Sequence, residues 1–144
     1  MKTMNKINNY LTKIELPESD SHKGENGKLL IIGGSQLFHA ASKWSLDVAS
    51  KFVDMVFYSS VKSNNKLVKQ AKSEFWNGIV IERHEIENYI QEADVILIGP
   101  GMEREKHQKL QKIISKLTPK QWQNDTQKIT TYLLQKYPDK KWVI

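Results

Sequence analysis

The sequence of 144 residues contains no cysteine, which excludes disulfides, thiolate-bound metals and cysteine nucleophiles. It also contains no apolar run near the roughly 18–20 residues of a membrane span. The first twenty residues lack the apolar segment of a secretory signal. With 39% hydrophobic residues, the chain is too apolar to be disordered. These absences predict a soluble cytoplasmic protein with no membrane partner.

The net charge of +6 is unevenly distributed. Residues 1–101 contain 12 Lys and Arg and 12 Asp and Glu, whereas residues 102–144 contain 10 and 4. A basic segment is one mark of a nucleic-acid-binding protein. Here, however, the lysines stand at helical spacing opposite apolar positions, and few aromatic residues lie between them. This favours a solvated helix face, and we expect no nucleic-acid partner.

The hydrophobic pattern alternates between short apolar runs and amphipathic stretches. Runs of this length are typical of strands buried on both faces, and the stretches between them follow helical spacing. We predict strands near 29–32, 55–58, 78–83, 94–99 and 140–144, and helices over 1–15, 40–54, 63–76, 85–93, 103–117 and 125–136. This order indicates an α/β fold with a mostly parallel sheet covered by helices on both faces.

The helical spacing also predicts which side chains face the core. In the helix after the first strand, Ala41, Trp44, Val48 and Phe52 recur on one stripe. In the next helix the inward positions are Leu67, Val68 and Ala71. A good N-cap for the last helix is Asn124 or Asp125.

Two loops rich in glycine follow predicted strands. The first runs from Gly33 to Ala41 into a helix, and the second is Gly99-Pro100-Gly101. Right-handed crossovers bring the carboxyl ends of parallel strands to one edge, where ligands bind in open α/β sheets. Glycines permit close approach of a ligand, and a helix N-terminus favours an anion. Each loop alone is equally consistent with a tight turn, since neither matches a nucleotide-binding fingerprint.

Other candidate groups are weaker. His22 and Lys23 precede the first strand and suit acid–base work or phosphate contact, but the same pair is common in polar loops. His39 lies in the first glycine loop, where capping of the next helix is an alternative role. The four histidines have no metal-ligand spacing, so we expect no metal site. Ser35 lacks the GxSxG elbow of a serine hydrolase.

Three motifs in order carry a family resemblance. The string SHKGENGKLLIIGGS, the AAS at the start of the next helix, and DVILIGPGM together resemble the ADP/ATP-dependent NAD(P)H-hydrate dehydratases, which have a ribokinase-like fold. The resemblance spans about residues 17–101 and corresponds to the N-terminal half of that domain. It implies a Rossmann-like, three-layer ribokinase-type sheet that is truncated after about five strands.

The resemblance implies a metabolite repair reaction. The family uses ADP or ATP to remove water from the hydrated nicotinamide rings of NADHX and NADPHX, and it allows for a magnesium ion with the nucleotide. Carried over to this sequence, the residues that line the hydrated-dinucleotide cleft are Gly33, Gly34, Ser35, Ala41, Gly99, Pro100 and Gly101. His22, Lys23 and Gly24 match the family's SHKG without a firm role.

The sequence departs from the family at several points. Ala40 stands where the family often has glycine, and Glu103 where a small residue is usual. The family's Gly-Thr-Gly-Asp motif, with its anion hole and acid–base aspartate, does not occur in these 144 residues, so the catalytic residues are unknown. We therefore expect residues 1–144 to form a single partial domain. An unpaired sheet edge would then be completed by a complementary C-terminal half or by a second copy.

Two alternatives remain open. One is an inactive α/β module that retains a nucleotide-binding cleft. The other is a different ribokinase-like small-molecule kinase, although the pairing of SHKG with IIGGS and GPGM favours the dehydratase.

Overall fold

Strands and helices alternate in the computed structural model, which describes residues 11–13, 16–103 and 126–144. The strands are β1 (Lys28–Ile32), β2 (Met55–Ser59), β3 (Gly78–Ile81), β4 (Val95–Ile98) and β5 (Lys141–Val143). The α-helices are α1 (Ala40–Ala49), α2 (Lys62–Gln70), α3 (Ile86–Glu92) and α4 (Thr126–Lys136), with 3-10 turns at Lys72–Glu74 and Arg83–Glu85. The helix predicted over 103–117 and most of that over 1–15 lie outside the described residues.

The five strands form one sheet in the order β3-β2-β1-β4-β5, and every neighbouring pair is parallel. The predicted α/β fold with a parallel sheet is confirmed. The order reverses at β1, because β2 and β3 extend to one side and β4 and β5 to the other. The crevice between the loops after β1 and β4 is therefore the topological switch point, where ligands bind in folds of this type.

Two hydrophobic cores lie on opposite faces of the sheet. Leu30 and Ile32 of β1 join one core, which α3 and α4 cover, whereas Ile31 joins the other, which α1 and α2 cover. This alternation follows from the two-residue period of a strand. Because helices cover both faces of the sheet, the central strands have continuous apolar sequences.

The predicted core face of α1 is wrong. The structure buries Ser42 and Leu46 instead, and Trp44 is 67% exposed, with Val48 and Phe52 also exposed. Two contacts set the rotation of this helix: Leu46 packs in the core of Ile31 and Phe75, and the Ser42 hydroxyl lies 2.8 Å from the Tyr58 hydroxyl. The small Ser42 side chain also allows α1 to approach the end of β1 closely, which a larger residue would prevent.

In α2, the prediction is confirmed for Val68 and wrong for Leu67, which is 53% exposed. Two asparagines in the first turn fix the rotation of the helix. Asn64 donates to the carbonyl of Ser35, and Asn65 donates to that of Ile81. Val68 lies four positions after Asn64 and three after Asn65, so it shares a helix face with both buried amides and turns inward. Leu67 shares a face with Asn64 alone and lies at the exposed border.

The last helix agrees with its predicted span, 125–136, and buries Ile129 and Leu133. Its cap, predicted at Asn124 or Asp125, lies outside the described residues. A polar cluster joins α4 to α3: Tyr132 and Tyr137 each donate a hydrogen bond of 2.9 Å to the Glu87 carboxylate, which also pairs with Lys136. The edge strand β5 then pairs with β4, as predicted.

Candidate functional site

The two glycine loops meet at the switch point. The amide of Gly34 donates a hydrogen bond of 2.7 Å to the carbonyl of Pro100. A Cβ atom at Gly33 would lie 2.5 Å from that same oxygen, and one at Gly101 would lie 3.4 Å from Gly34 Cα. At Gly33, only a residue without a side chain permits this approach. The residues predicted to share a cleft thus lie together in the structure, with Ala41 beside Gly101.

Positive φ angles give these glycines a second role. Gly34, Gly99 and Gly101 have φ of +68°, +121° and +71°, a region that L side chains rarely adopt. A Cβ atom at Gly99 would meet nothing within 4 Å. Gly99 is therefore required by backbone conformation and not by packing, and the space beside it is open at the mouth of the crevice.

The backbone amides at the start of the first loop are already engaged. Those of Gly33, Gly34 and Ser35 donate to the carbonyls of Ser59, Pro100 and Phe38. In the described part of the chain, the Gly101 amide has no such partner, and the first N–H groups of α1 have none within their helix. The donors that remain for a ligand therefore include the Gly101 amide and the amides at the N-terminus of α1.

A layer of buried polar side chains supports this edge, and the sequence analysis missed it. Asn64 donates at 3.1 Å to both the Ser35 carbonyl and the Ser60 hydroxyl, behind Gly34. The only signals for it were a polar Ser-Ser pair at the end of an apolar strand and an Asn-Asn pair in the next helix. The buried polar residues of the described chain all belong to this edge: Ser35, Ser42, Ser59, Ser60, Asn64, Asn65 and Arg83.

His39 has a different role from capping. It occupies the N-cap position of α1, but its side chain makes no capping hydrogen bond. Its Nδ1 instead contacts Oδ1 of Asn64. The imidazole lines a cavity of about 320 Å³ between α1 and α2, together with Lys43, Tyr58 and Val68. His39 thereby links the first glycine loop to the asparagine that supports it.

Arg83 is the one charged residue buried among the described residues, at 5% exposure. Its Nη2 donates to the carbonyls of Gly33, at 3.2 Å, and Gly34, at 3.5 Å, whereas Nε and Nη1 have no partner. Burial lowers the pKa of this guanidinium to about 10, so that it remains charged at neutral pH. The sequence analysis placed Arg83 at the end of the strand predicted over 78–83, whereas β3 ends at Ile81. The position of its side chain under the loop was not predicted.

His22 and Lys23 do not lie at this edge. They precede β1, and the neighbouring Gly24 and Asn26 amides donate at 2.8 and 3.2 Å to the Asp54 carboxylate, just before β2. These bonds, that from Gly24 foremost, lower the pKa of Asp54. The SHKG stretch therefore lies at the amino ends of the strands, opposite the two glycine loops.

The described residues provide neither a cluster of metal-binding side chains nor a membrane-spanning helix. No group of three or more histidine, aspartate or glutamate side chains among them is placed to hold a metal ion. No helix in the same residues has the length and apolarity needed to cross a membrane.

Sequence comparison relates the chain to enzymes that repair hydrated nicotinamide nucleotides. It is 30% identical over 112 residues to the bifunctional NAD(P)H-hydrate repair enzyme Nnr of Vibrio cholerae, covering 73% of this chain and 22% of that protein. The enzyme of the same name from Methanocaldococcus jannaschii is 40% identical over 78 residues, covering 42% of this chain and 16% of that protein. The chain is homologous to part of the NAD(P)H-hydrate repair enzymes. The resemblance seen in the motifs is thereby confirmed.

A third repair enzyme, from Methanopyrus kandleri, is 31% identical over 87 residues, covering 57% of this chain and 17% of that protein. The chain thus spans 16% to 22% of the length of these three relatives. No protein-family model matches the chain.

Solved structures confirm the ribokinase-like fold that the repair enzymes imply. A ribokinase-like superfamily protein from Enterococcus faecalis aligns with a TM-score of 0.56 and 25% identity, covering 64% of this chain and 33% of that chain. A hypothetical protein from Streptococcus mutans aligns with a TM-score of 0.55 and 24% identity, covering 65% of this chain and 34% of that chain.

Proposed function

We propose that this chain forms the dinucleotide-binding part of a cytoplasmic, nucleotide-dependent NAD(P)H-hydrate dehydratase. Its substrate is NADHX or NADPHX, and its product is NADH or NADPH. The binding residues we propose are those of the two glycine loops: Gly33, Gly34, Ser35, Ala41, Gly99, Pro100 and Gly101. Homology to the repair enzymes supports the reaction class, and the geometry of the loops supports the location.

One observation carries the proposal. The Gly34 amide and the Pro100 carbonyl join the loops after β1 and β4 at 2.7 Å, at the point where the strand order reverses. Parallel α/β sheets bind nucleotides at this point because the two neighbouring loops diverge there to opposite faces. The open space at Gly99 and the N–H groups of Gly101 and α1 suit a ligand with phosphate oxygens.

We propose ADP or ATP as the co-substrate, with a magnesium ion accompanying the nucleotide. The nucleotide supplies a phosphoryl group that makes the ring hydroxyl a good leaving group, so that phosphate and a ring proton depart together and the dihydronicotinamide is restored. The residues described here bind and orient the dinucleotide. Because the relatives are several times longer, a further segment is proposed to supply the acid–base group, either from a complementary C-terminal half or from a homo-oligomer.

The proposal is tested by mixing the chain with NADHX and either ADP or ATP, with and without a separately produced C-terminal segment from a relative. We expect the NADH absorbance to be restored only in the mixture that contains both proteins and a nucleotide. Failure of every mixture to regenerate NADH, while the chain remains folded, would contradict the proposal.

The second candidate is a binding module without turnover. In that case the chain binds the dinucleotide alone, and no added segment produces NADH.

A further inference from the structure

The position of Arg83 is unusual for a buried cation. Two of its three guanidinium nitrogens, Nε and Nη1, have no hydrogen-bond partner, although buried polar groups in proteins nearly always have one. Among the described residues, no carboxylate forms an ion pair with it. A buried charge without a counter-charge is costly, so its retention calls for a reason outside packing.

The sheet order defines the path of this side chain. Arg83 follows β3, while its Nη2 donates to residues that follow β1, and β2 lies between those two strands. The side chain therefore crosses the carboxyl end of β2, where Ser59 and Ser60 are fully buried. The short serine side chains leave room for the crossing. The result is a positive charge directly behind the first glycine loop.

Two peptide groups of that loop are aligned by the charge. The Gly33 carbonyl accepts from Arg83, while the amide of the same peptide group, on Gly34, donates toward Pro100. The Gly34 carbonyl likewise turns to Arg83, at 3.5 Å, and the Ser35 amide turns to Phe38. Both peptide dipoles thus direct their positive ends away from the guanidinium. Charge and dipoles add to a positive potential on the side of the second glycine loop.

We propose that Arg83 is a positioning residue that makes the switch-point crevice selective for a ligand with a diphosphate group. It orients the Gly33 and Gly34 peptides and provides the counter-charge for the bound anion. This inference rests on the proposed function, which supplies two sources of diphosphate, the dinucleotide and the nucleotide co-substrate. Because the charge is buried, dissolved salt screens it weakly.

The test is calorimetric titration of the full chain with inorganic diphosphate, at low and high salt, in wild type and in Arg83→Met. We expect a loss of affinity of about tenfold or more in Arg83→Met that persists at high salt. Arg83→Lys keeps the positive charge but loses the planar guanidinium with its paired N–H donors. We expect it to bind diphosphate with an affinity between those of wild type and Arg83→Met. Lys62→Met removes an exposed cation from the first turn of α2 and serves as the matched control, with a small loss that disappears at high salt.

The stability of Arg83→Met without ligand distinguishes a role of Arg83 in ligand binding from a role in the fold. Since replacing a buried unpaired charge by an apolar side chain is often neutral or stabilising, Arg83→Met should unfold at or above the wild-type midpoint. A variant that fails to fold would show that the guanidinium serves the fold itself and would overturn the inference. So would equal diphosphate affinity in wild type and Arg83→Met, or no binding to wild type.

Titrations with NADH and with ADP then identify the source of the diphosphate, since only the true source should depend on Arg83. The NADH-regeneration assay decides the proposed function separately. If diphosphate binding depends on Arg83 but no NADH is regenerated, this inference holds and the proposed dehydratase function is contradicted.

Discussion

At the scale of single residues, Gly34 is where the backbone and the polar layer meet. Its φ of +68° already disfavours a side chain, and the buried polar groups of Ser42, Ser60 and Asn64 converge on the position that a Cβ atom would take. Of these three side chains, Asn64 holds the loop from behind, since its amide donates to the Ser35 carbonyl. Glycine at this position is thus needed both for the turn and for the hydrogen bonds that fix it.

A Gly34→Ala substitution should therefore be strongly destabilising. Its Cβ atom would come within 2.5 Å of Asn64 Nδ2 and 2.9 Å of Ser42 Oγ, and closer to Ser60 Oγ. With the unfavourable φ, we expect a loss of about 3 kcal/mol in the free energy of unfolding. Urea denaturation measures it.

Gly24→Ala is the matched control, because Gly24 also has a positive φ, +95°, but its Cβ atom would meet only flexible side-chain ends, Lys28 at 3.0 Å and Met55 Sδ at 3.7 Å. It should cost about 1 kcal/mol. Equal losses in the two variants would contradict the role given to the polar layer.

At the scale of secondary-structure elements, polar contacts rotate the helices away from their most apolar stripe. In α1 Trp44 and Val48 face outward, as does Phe52 beyond the end of the helix, because Ser42 and Leu46 face the sheet. In α2 buried asparagines do the same. Helical spacing alone ranks faces by apolar content, and it carries no information about hydrogen bonds to a neighbouring loop.

The rotation of α1 predicts different costs for two substitutions. Leu46→Ala removes a fully buried side chain and should lower the free energy of unfolding by about 3 kcal/mol. Trp44→Ala, although the larger truncation, should cost well under about 1 kcal/mol, because Trp44 is mostly exposed. The two losses are compared by chemical denaturation, and the reverse order would show that α1 packs with the stripe inward.

The cluster between α3 and α4 predicts a dependence on pH. Burial raises the pKa of Glu87, but the hydrogen bonds from Lys136, Tyr137 and Tyr132 outweigh burial, and the net pKa is lowered from its usual 4.5. A carboxyl whose pKa is lowered on folding stabilises the protein above its unfolded pKa, and this stabilisation is lost as the pH falls through the folded value. Glu87→Gln should therefore reduce stability at pH 7, by about 1 kcal/mol.

The difference between wild type and Glu87→Gln should narrow below pH 4.5, the usual pKa of this carboxyl. Thermal unfolding at a series of pH values measures this difference in stability. Glu92→Gln, an exposed carboxylate on the same helix, is the control and should leave the profile unchanged. A Glu87→Gln profile parallel to that of wild type would show that the cluster does not join the two helices.

At the scale of the whole molecule, the parallel sheet and the common edge of the two glycine loops were predictable, and the strand order and the polar support were not. Buried parallel strands are recognisable in the sequence as apolar runs. Right-handed crossover connections then bring the loops after β1 and β4 to the same edge of the sheet. Arg83 was not predictable, because a charged residue just after a strand usually faces solvent. Its burial depends on long-range packing across β2, which no local pattern in the sequence records.

The central claim is that the dinucleotide binds at the carboxyl edge of the sheet, between the loops after β1 and β4. The most direct measurement is amide NMR of the isotope-labelled chain during titration with NADH, the stable analogue of the hydrated substrate. We expect the largest changes in amide chemical shift at residues 33–41 and 99–101. Residues 22–27, on the opposite edge of the sheet, should show little change in chemical shift. Shifts centred on residues 22–27, or no shift in either loop at saturating NADH, would contradict it.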